Sequence, residues 1–152
     1  MRILVFLHVL AMFGAVAMAG GGDLVMRRIA QTRDVRAIRT AFDVYGRIAR
    51  LIPVLFGAGL VFGLIAIFVE AFNPFAPWLL LAYALFIAGM LVGYLGIGRW
   101  GDRVFAAATA SGDSASAELE AAVTDWRGRV ALIALWALIA AIVFVMIIKP
   151  FA

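Results

Sequence analysis

The sequence predicts an all-α integral membrane protein, a bundle of four transmembrane helices with helical extensions on the cytoplasmic side. Of its 152 residues, 66% are hydrophobic and 14% are charged, and the mean hydropathy is +1.10. A soluble domain carries roughly 45–50% apolar and about 25% charged residues. The composition therefore excludes a water-soluble globule and a disordered tail, and the length fits a single transmembrane domain over residues 1–152.

Four apolar segments are each long enough to cross hydrocarbon, which takes about 20 helical residues. They carry no Asp, Glu, Lys or Arg, and each is apolar on every face, whereas a strand of a membrane barrel alternates. Helices are also favoured because a spanning segment must satisfy its own backbone hydrogen bonds. The predicted spans are residues 3–22, 51–69, 77–98 and 130–148.

The first segment has a second interpretation, a secretory signal peptide with a small-residue cleavage site at Ala17-Met18-Ala19. Two observations favour a retained span. Its apolar run is about twice as long as the hydrophobic region of a signal peptide, and the dense positive charge follows the segment instead of preceding it.

The basic residues predict the orientation of the spans. Eleven of the thirteen lie in two long segments, residues 23–50 and 99–129, and the short segment 70–76 has none. Since positive charge marks the cytoplasmic side of a membrane, we expect both long segments in the cytoplasm and both termini outside, in a bacterial-type cell inner membrane. Because these charges flank apolar segments, they favour the lipid bilayer, and not nucleic acid, as the partner.

The first long segment has the pattern of a basic amphipathic helix. Such a helix lies at the anionic inner leaflet or continues into the next span. Its arginines would bind lipid head groups or a membrane protein partner, and the alternative is control of topology together with lipid contact. Five arginines share one arc of the helical wheel, beside an arc of apolar side chains: Arg28, Arg36, Arg39, Arg47 and Arg50.

The second long segment contains a turn cluster, Ser111-Gly112-Asp113-Ser114. We expect Asp113 or Ser114 to cap the helix that follows. The residues on either side of the turn are predicted to extend the third and fourth spans. Because acidic and basic residues nearly balance in this segment, we also expect ion pairs between it and the first basic segment.

Small residues predict where the helices approach closely, because lipid gives no hydrophobic drive for helix association. The G-x-x-x-G spacing occurs in the second and third spans, at Gly59 and Gly63 and at Gly89 and Gly93. Packing inside one bundle and a homo-oligomer interface both use this motif. The run Gly20–Gly22 is expected to end the first helix.

The single histidine, His8, lies inside the first predicted span. An ionisable group at that depth is a candidate functional residue, and imidazole binds transition metals and haem. Met12, one turn further along, could share a Cu(I) ion with it. The alternative is a neutral His8 bonded to a facing backbone carbonyl, with Met12 in ordinary packing. No catalytic residue is predicted, because the chain has no cysteine and no soluble-enzyme motif.

The first span also carries a family resemblance. Phe6-Leu7-His8-Val9-Leu10, the closing Gly20-Gly21-Gly22 and four spans in about 150 residues resemble uncharacterised small bacterial membrane proteins. These are grouped with the copper-resistance D (CopD)-like superfamily, which includes haem-binding protoporphyrinogen oxidases. The resemblance implies that His8 is the family's early histidine and could hold haem or copper.

Two departures from the family pattern limit that implication. Residues 16–19 lack the Trp that often precedes the glycine pair in copper-resistance relatives, and no second His follows. A haem with two His ligands from one chain is therefore excluded. His8 with Met90 or Met146, or with the His8 of a second copy, would be the remaining ligand sets.

The functional expectation is an integral inner-membrane protein without enzymatic activity, an accessory or assembly component. The alternative is a haem- or copper-binding membrane protein that uses His8 in redox or metal handling. A small transporter is disfavoured, because the spans hold few ionisable residues that could line a path.

Overall fold

The computed structural model describes residues 2–150, and these fold almost entirely into helices. A six-residue π-helical segment, Gly93–Gly98, joins the fourth α-helix to the fifth. Seven α-helices follow one another: α1 (Arg2–Gln31), α2 (Val35–Ala49), α3 (Leu51–Val69), α4 (Pro77–Val92), α5 (Arg99–Ala110), α6 (Ala117–Thr124) and α7 (Trp126–Ile148). Four helical stretches are long and apolar enough to cross a membrane: Arg2–Gln31, Val35–Val69, Pro77–Ala110 and Ala117–Ile148.

The long helices form two antiparallel pairs. α3 packs along α1, with His8 and Met12 of α1 against Gly63 and Gly59 of α3. α4 and the π-helical segment pack along α7. Contacts between the two pairs are sparse. The short turn 70–76 therefore connects α3 to α4, but these two helices do not pack along their length.

This arrangement gives the molecule two distinct ends. Residues 23–50 and 99–129 lie together at one end, which we call the basic end. The two ends of the described chain and the turn 70–76 lie at the other, which we call the terminal end; there, Lys149 lies beside the rings of Phe72 and Trp78.

The basic end has a tightly packed apolar core built from parts of four helices. The end of α1, α2, α5 and α6 each contribute side chains to it. Trp100 is 2% exposed, and its indole N–H donates a hydrogen bond to the carbonyl of Ala122, 3.1 Å away. The buried members of the core are Ala30, Val35, Ile38, Trp100, Val104, Ala108 and Leu119.

A smaller apolar cluster lies at the terminal end. Trp78, Leu79 and Ala82 of α4 pack there against Val145 of α7. The edge of the Phe72 ring meets Trp78, with ring centroids 5.8 Å apart. This cluster joins the turn 70–76 to the α4–α7 pair.

The apolar face of helix α2 is packed inside the protein. Val35 and Ile38 are buried in the basic-end core, and Phe42 packs against it. The predicted amphipathic helix therefore forms over Val35–Ala49 and runs on into α3 through Arg50, but Arg28 is not part of it, because α1 continues to Gln31 and carries that residue. The buried apolar side chains of α2 pack against α1 and α5.

Two local expectations are wrong. The run Gly20–Gly22 does not end the first helix, since α1 continues to Gln31. A Cβ on Gly20 would lie 2.5 Å from Cζ2 of Trp136, and the Tyr45 ring packs directly on Gly22, so these glycines admit large aromatic rings to the helix surface.

The cap of α6 is the second correction. Ser116, and not Asp113 or Ser114, precedes the helix and accepts a hydrogen bond from the backbone N–H of Leu119. The Ser116 hydroxyl also bonds to the hydroxyl of Ser111, which is buried. The turn therefore extends from Ser111 to Ser116, because the Ser111 hydroxyl bonds to both the hydroxyl and the backbone N–H of Ser116 and closes the loop between them.

The expected ion pair between the two basic segments is present. Nε of Arg33 lies 2.6 Å from Oε2 of Glu120. Both side chains are about two-fifths exposed, and a pair in water contributes little to stability. It joins α6 to the turn between α1 and α2.

Candidate functional site

A large cavity lies between the two helix pairs. Its volume is about 1710 Å³, and side chains of all four long helical stretches line it. Pockets for drug-sized molecules measure roughly 300–1,000 Å³. The cavity is therefore large enough for a long-chain molecule, and its lining is mainly aliphatic and aromatic.

Two aromatic contacts bridge the helix pairs across the cavity. Phe56 of α3 meets Phe86 of α4 edge to face, with ring centroids 5.9 Å apart. On the other side, Trp136 of α7 packs on Gly20 of α1. These two contacts join the helix pairs along the cavity.

Charged groups line both ends of the cavity. At the basic end these are Asp43, Arg47, Arg50 and Asp102, together with buried Asp23. At the terminal end they are Glu70 and Lys149. The lining is therefore polar at each end and apolar between them.

Asp23 is held by an ion pair that the sequence analysis did not single out. Nε of Arg27, one turn along α1, donates to Oδ2 of Asp23 at 2.7 Å. The same guanidinium donates to the carbonyl of Gly128 at 2.9 Å and lies 4.0 Å from the centroid of the Trp100 ring. Arg27 therefore ties α1 to α5 and α7, and its i, i+4 spacing from Asp23 was the sequence signal for it.

His8 faces the cavity from α1. Its Nδ1 lies 2.7 Å from the carbonyl oxygen of Gly59, and the ring rests on Gly63, where a Cβ would be 2.7 Å from Nδ1. A carbonyl oxygen can only accept, so Nδ1 carries the hydrogen. In the neutral ring, Nε2 then has a free lone pair. Within residues 2–150, no hydrogen-bond partner of Nε2 is present and the atom is not buried.

Met12 packs between α1 and α3. Its Sδ would lie 3.1 Å from a Cβ on Gly59, so the thioether fills the space that the glycine leaves. Among residues 2–150, no three His, Asp or Glu side chains cluster in a way that could hold a metal ion. The donor set around His8 is one imidazole nitrogen and one packed thioether.

The four packing glycines differ in what they face. Gly59 and Gly63 lie against Met12 and His8, as described above. A Cβ on Gly89 would touch Leu135 at 3.9 Å, an ordinary contact, whereas a Cβ on Gly93 would meet no atom within 4 Å. The first G-x-x-x-G pair thus lies in a helix interface, and Gly93 lines the cavity.

The five arginines of the predicted basic face also have different environments. Arg28 and Arg36 are exposed. Arg39 reaches the end of α5, where Nε donates to the carbonyl of Ala108 at 2.8 Å and Nη2 to that of Ser111. Arg47 pairs with Asp43, and Arg50 lies at the cavity mouth.

Comparisons with known proteins give no relative. No family model matches the chain, and no curated protein or solved structure matches it. The relationship to the CopD-like superfamily stays a prediction from the residues of the first span.

Proposed function

We propose that the protein is a multi-pass protein of a bacterial-type inner membrane that holds a lipid between its two helix pairs. It acts without catalysis, as an accessory or assembly component. The observation that carries the proposal is the cavity of about 1710 Å³, apolar along its length and charged at both ends. Acyl chains match the apolar length, and head groups match the charged ends.

A lipid fits the cavity better than a helix of another protein does. A helix with its side chains is about 10–12 Å wide, whereas the Phe56 and Phe86 rings meet at 5.9 Å. A helix would have to break this bridge, or the contact of Trp136 with Gly20 on the other side. A flexible acyl chain can pass beside both.

Charge supports the orientation. The basic end carries eleven of the thirteen basic residues, and such an excess favours the cytoplasmic side. Both termini would then be outside. Exposed Arg28 and Arg36 would face the anionic inner leaflet or a membrane protein partner. Reporter fusions at each terminus test this, and a cytoplasmic C-terminus contradicts it.

The lipid proposal is tested by quenching of Trp fluorescence in nanodiscs that contain brominated phosphatidylcholine. Trp78 and Trp136 line the cavity, so we expect them to be quenched in the wild type. Gly93→Leu places a side chain into the cavity without a clash and should reduce quenching. The matched control is Gly57→Leu, because a Cβ at Gly57 also meets no atom within 4 Å but the residue does not line the cavity.

Equal quenching in the wild type and in Gly93→Leu would contradict the proposal. So would purified protein that retains no lipid in native mass spectrometry. Loss of quenching in Gly57→Leu as well would assign the effect to the bilayer-facing surface and not to the cavity.

Haem is the second candidate, and the observation that favours it is the free Nε2 of His8 in a cavity of this size. His8 would supply one ligand to the haem iron, and Met90 or Met146, which also line the cavity, could supply another. A copper site does not fit the described residues, since within residues 2–150 the second donor beside His8 is the thioether of Met12, which is packed against Gly59. The visible spectrum of protein expressed with haem precursor, together with elemental analysis, tests both metals. A Soret band that disappears in His8→Ala supports haem, and colourless wild type rejects it.

A further inference from the structure

Between its charged ends, the cavity presents few hydrogen-bonding side chains. Besides the indole N–H groups of Trp78 and Trp136, which can only donate, two of them lie in the half nearer the terminal end, His8 on α1 and Tyr83 on α4. Each lies six residues into its helix, which is about 9 Å of helical rise from the end. The two side chains therefore stand at similar depth on opposite helix pairs.

Both side chains have unused hydrogen-bonding capacity. The carbonyl of Gly59 fixes the hydrogen of His8 on Nδ1, so the neutral ring offers Nε2 as an acceptor. The Tyr83 hydroxyl is partly exposed, and within residues 2–150 it has no hydrogen-bond partner. A phenol hydroxyl both donates and accepts. The cavity thus has an acceptor on one wall and a donor on the other, in apolar surroundings.

We propose that His8 and Tyr83 form a binding site for the ring of a lipophilic hydroquinone, whose tail lies in the apolar length of the cavity. The inference rests on the proposed function, because it names the head group of the molecule held there. A hydroquinone carries two oxygens on opposite sides of one ring. One hydroxyl donates to Nε2 of His8, and the other oxygen accepts from the Tyr83 hydroxyl.

The site distinguishes the reduced from the oxidised ring. A quinone carbonyl has no hydrogen to donate to Nε2 of the neutral imidazole, whereas a hydroquinone hydroxyl does. The Tyr83 hydroxyl can donate to either form. Wild-type protein should therefore bind the hydroquinone more tightly than the quinone, by about three- to tenfold for one hydrogen bond.

The experiment uses decylubiquinol and decylubiquinone with the full chain in phosphatidylcholine nanodiscs, kept anaerobic. Quenching of Trp fluorescence gives the Kd of the quinone, and competition against it gives the Kd of the quinol. His8→Asn retains an amide donor for the carbonyl of Gly59 but removes the acceptor at the position of Nε2. We expect it to abolish the preference for the quinol. Tyr83→Phe should weaken both forms about equally, and Tyr94→Phe, also on the cavity lining, should change neither.

Three results would overturn the inference: equal Kd values for the two forms in the wild type, an unchanged preference in His8→Asn, or a Soret band that depends on His8. If His8→Asn does not fold, an unchanged affinity of both forms in Tyr83→Phe is sufficient to reject the site. If brominated lipid still quenches the Trp fluorescence but decylubiquinol does not bind, the hydroquinone head group is rejected and the lipid proposal is retained.

Discussion

The basic end and the region between the two helix pairs are built in opposite ways. At the basic end, four helices share a core in which Trp100 and Ile38 are almost fully buried, and arginine side chains bond to the carbonyls of neighbouring helices. Between the pairs, two aromatic contacts cross a cavity of about 1710 Å³. The helices are therefore fixed to one another at the basic end, whereas the region between the pairs, where we propose that a lipid lies, is held by few contacts.

The largest expected effect is at the centre of the basic-end core. Trp100→Ala removes a buried ring together with its hydrogen bond to Ala122 and the surface on which Arg27 rests. Truncation of a buried aromatic residue costs about 3–5 kcal/mol. Thermal unfolding in detergent measures it, with Trp126→Ala as control because Trp126 is 66% exposed. Similar losses in the two variants would mean that burial of the Trp100 ring in this core does not determine its contribution to stability.

A second pair of variants compares an interface glycine with a cavity glycine. Gly59→Leu places its Cβ within 3.0 Å of Met12, in the middle of the α1–α3 pair, whereas Gly93→Leu enters open space. Overpacking costs typically about 1–3 kcal/mol. We expect a lower unfolding temperature for Gly59→Leu and little change for Gly93→Leu. A lower unfolding temperature for Gly93→Leu than for Gly59→Leu would contradict the close contact that we place between α1 and α3 at Gly59.

Arg39 tests how the end of α5 is held. Its guanidinium donates to the carbonyls of Ala108 and Ser111, which α5 leaves without helical partners. Arg39→Ala should lower stability by about 1–2 kcal/mol, reduced by its partial exposure. Arg36→Ala, on the exposed face of the same helix, should have almost no effect. Equal losses of stability in Arg39→Ala and Arg36→Ala would mean that Arg39 acts through its positive charge alone and not through its hydrogen bonds to the end of α5.

The smallest expected effect is pH-dependent and lies at Asp125, just outside the predicted fourth span. The backbone N–H of Arg127 and, after it, the Arg103 guanidinium hold the pKa of this carboxyl below its usual value. A lowered folded-state pKa stabilises the fold above the unfolded value of about 3.9, and this contribution is lost as pH falls through the folded pKa.

Two substitutions separate the cap from the charge. Asp125→Asn retains an oxygen that can cap α7, so its unfolding temperature should fall below that of the wild type at pH 7, and the difference should shrink as pH falls below the unfolded-state pKa of the carboxyl. Asp125→Ala also loses the cap, which is worth about 1 kcal/mol, and should remain less stable over the whole of this pH range. A difference between Asn and wild type that does not depend on pH would contradict the role of the carboxylate.

The positions of the four long apolar helices could be predicted from sequence because they depend on composition summed over about 20 residues. Which helices pair could not, because that depends on single contacts. Gly59 and Gly89 have the same spacing motif, yet Met12 fills the space at one and an ordinary contact with Leu135 lies at the other. Sequence spacing reports that a glycine is present, and not what occupies the space it leaves.

The candidate site was predictable in part. His8 stands out in the sequence because it is the single histidine. A bond from His8 to a facing backbone carbonyl was one alternative predicted from the sequence, and Nδ1 makes such a bond to the carbonyl of Gly59. Tyr83 carried no comparable signal, since a tyrosine in an apolar helix is usually packing. The role proposed for it depends on the fold, which places Tyr83 of α4 on the lining of the same cavity as His8.

The π-helical segment between α4 and α5 sets a rotational phase. An α-helix advances about 100° for each residue, and the wider turn of Gly93–Gly98 takes up residues that a regular helix would place at other angles. With this rotation, α4 packs along α7 and Trp100 at the start of α5 lies in the basic-end core. Deleting one residue from the segment would turn every following side chain by about that angle. The segment therefore sets the rotation of α5 relative to α4, so that one continuous helix packs on α7 along α4 and in the basic-end core along α5.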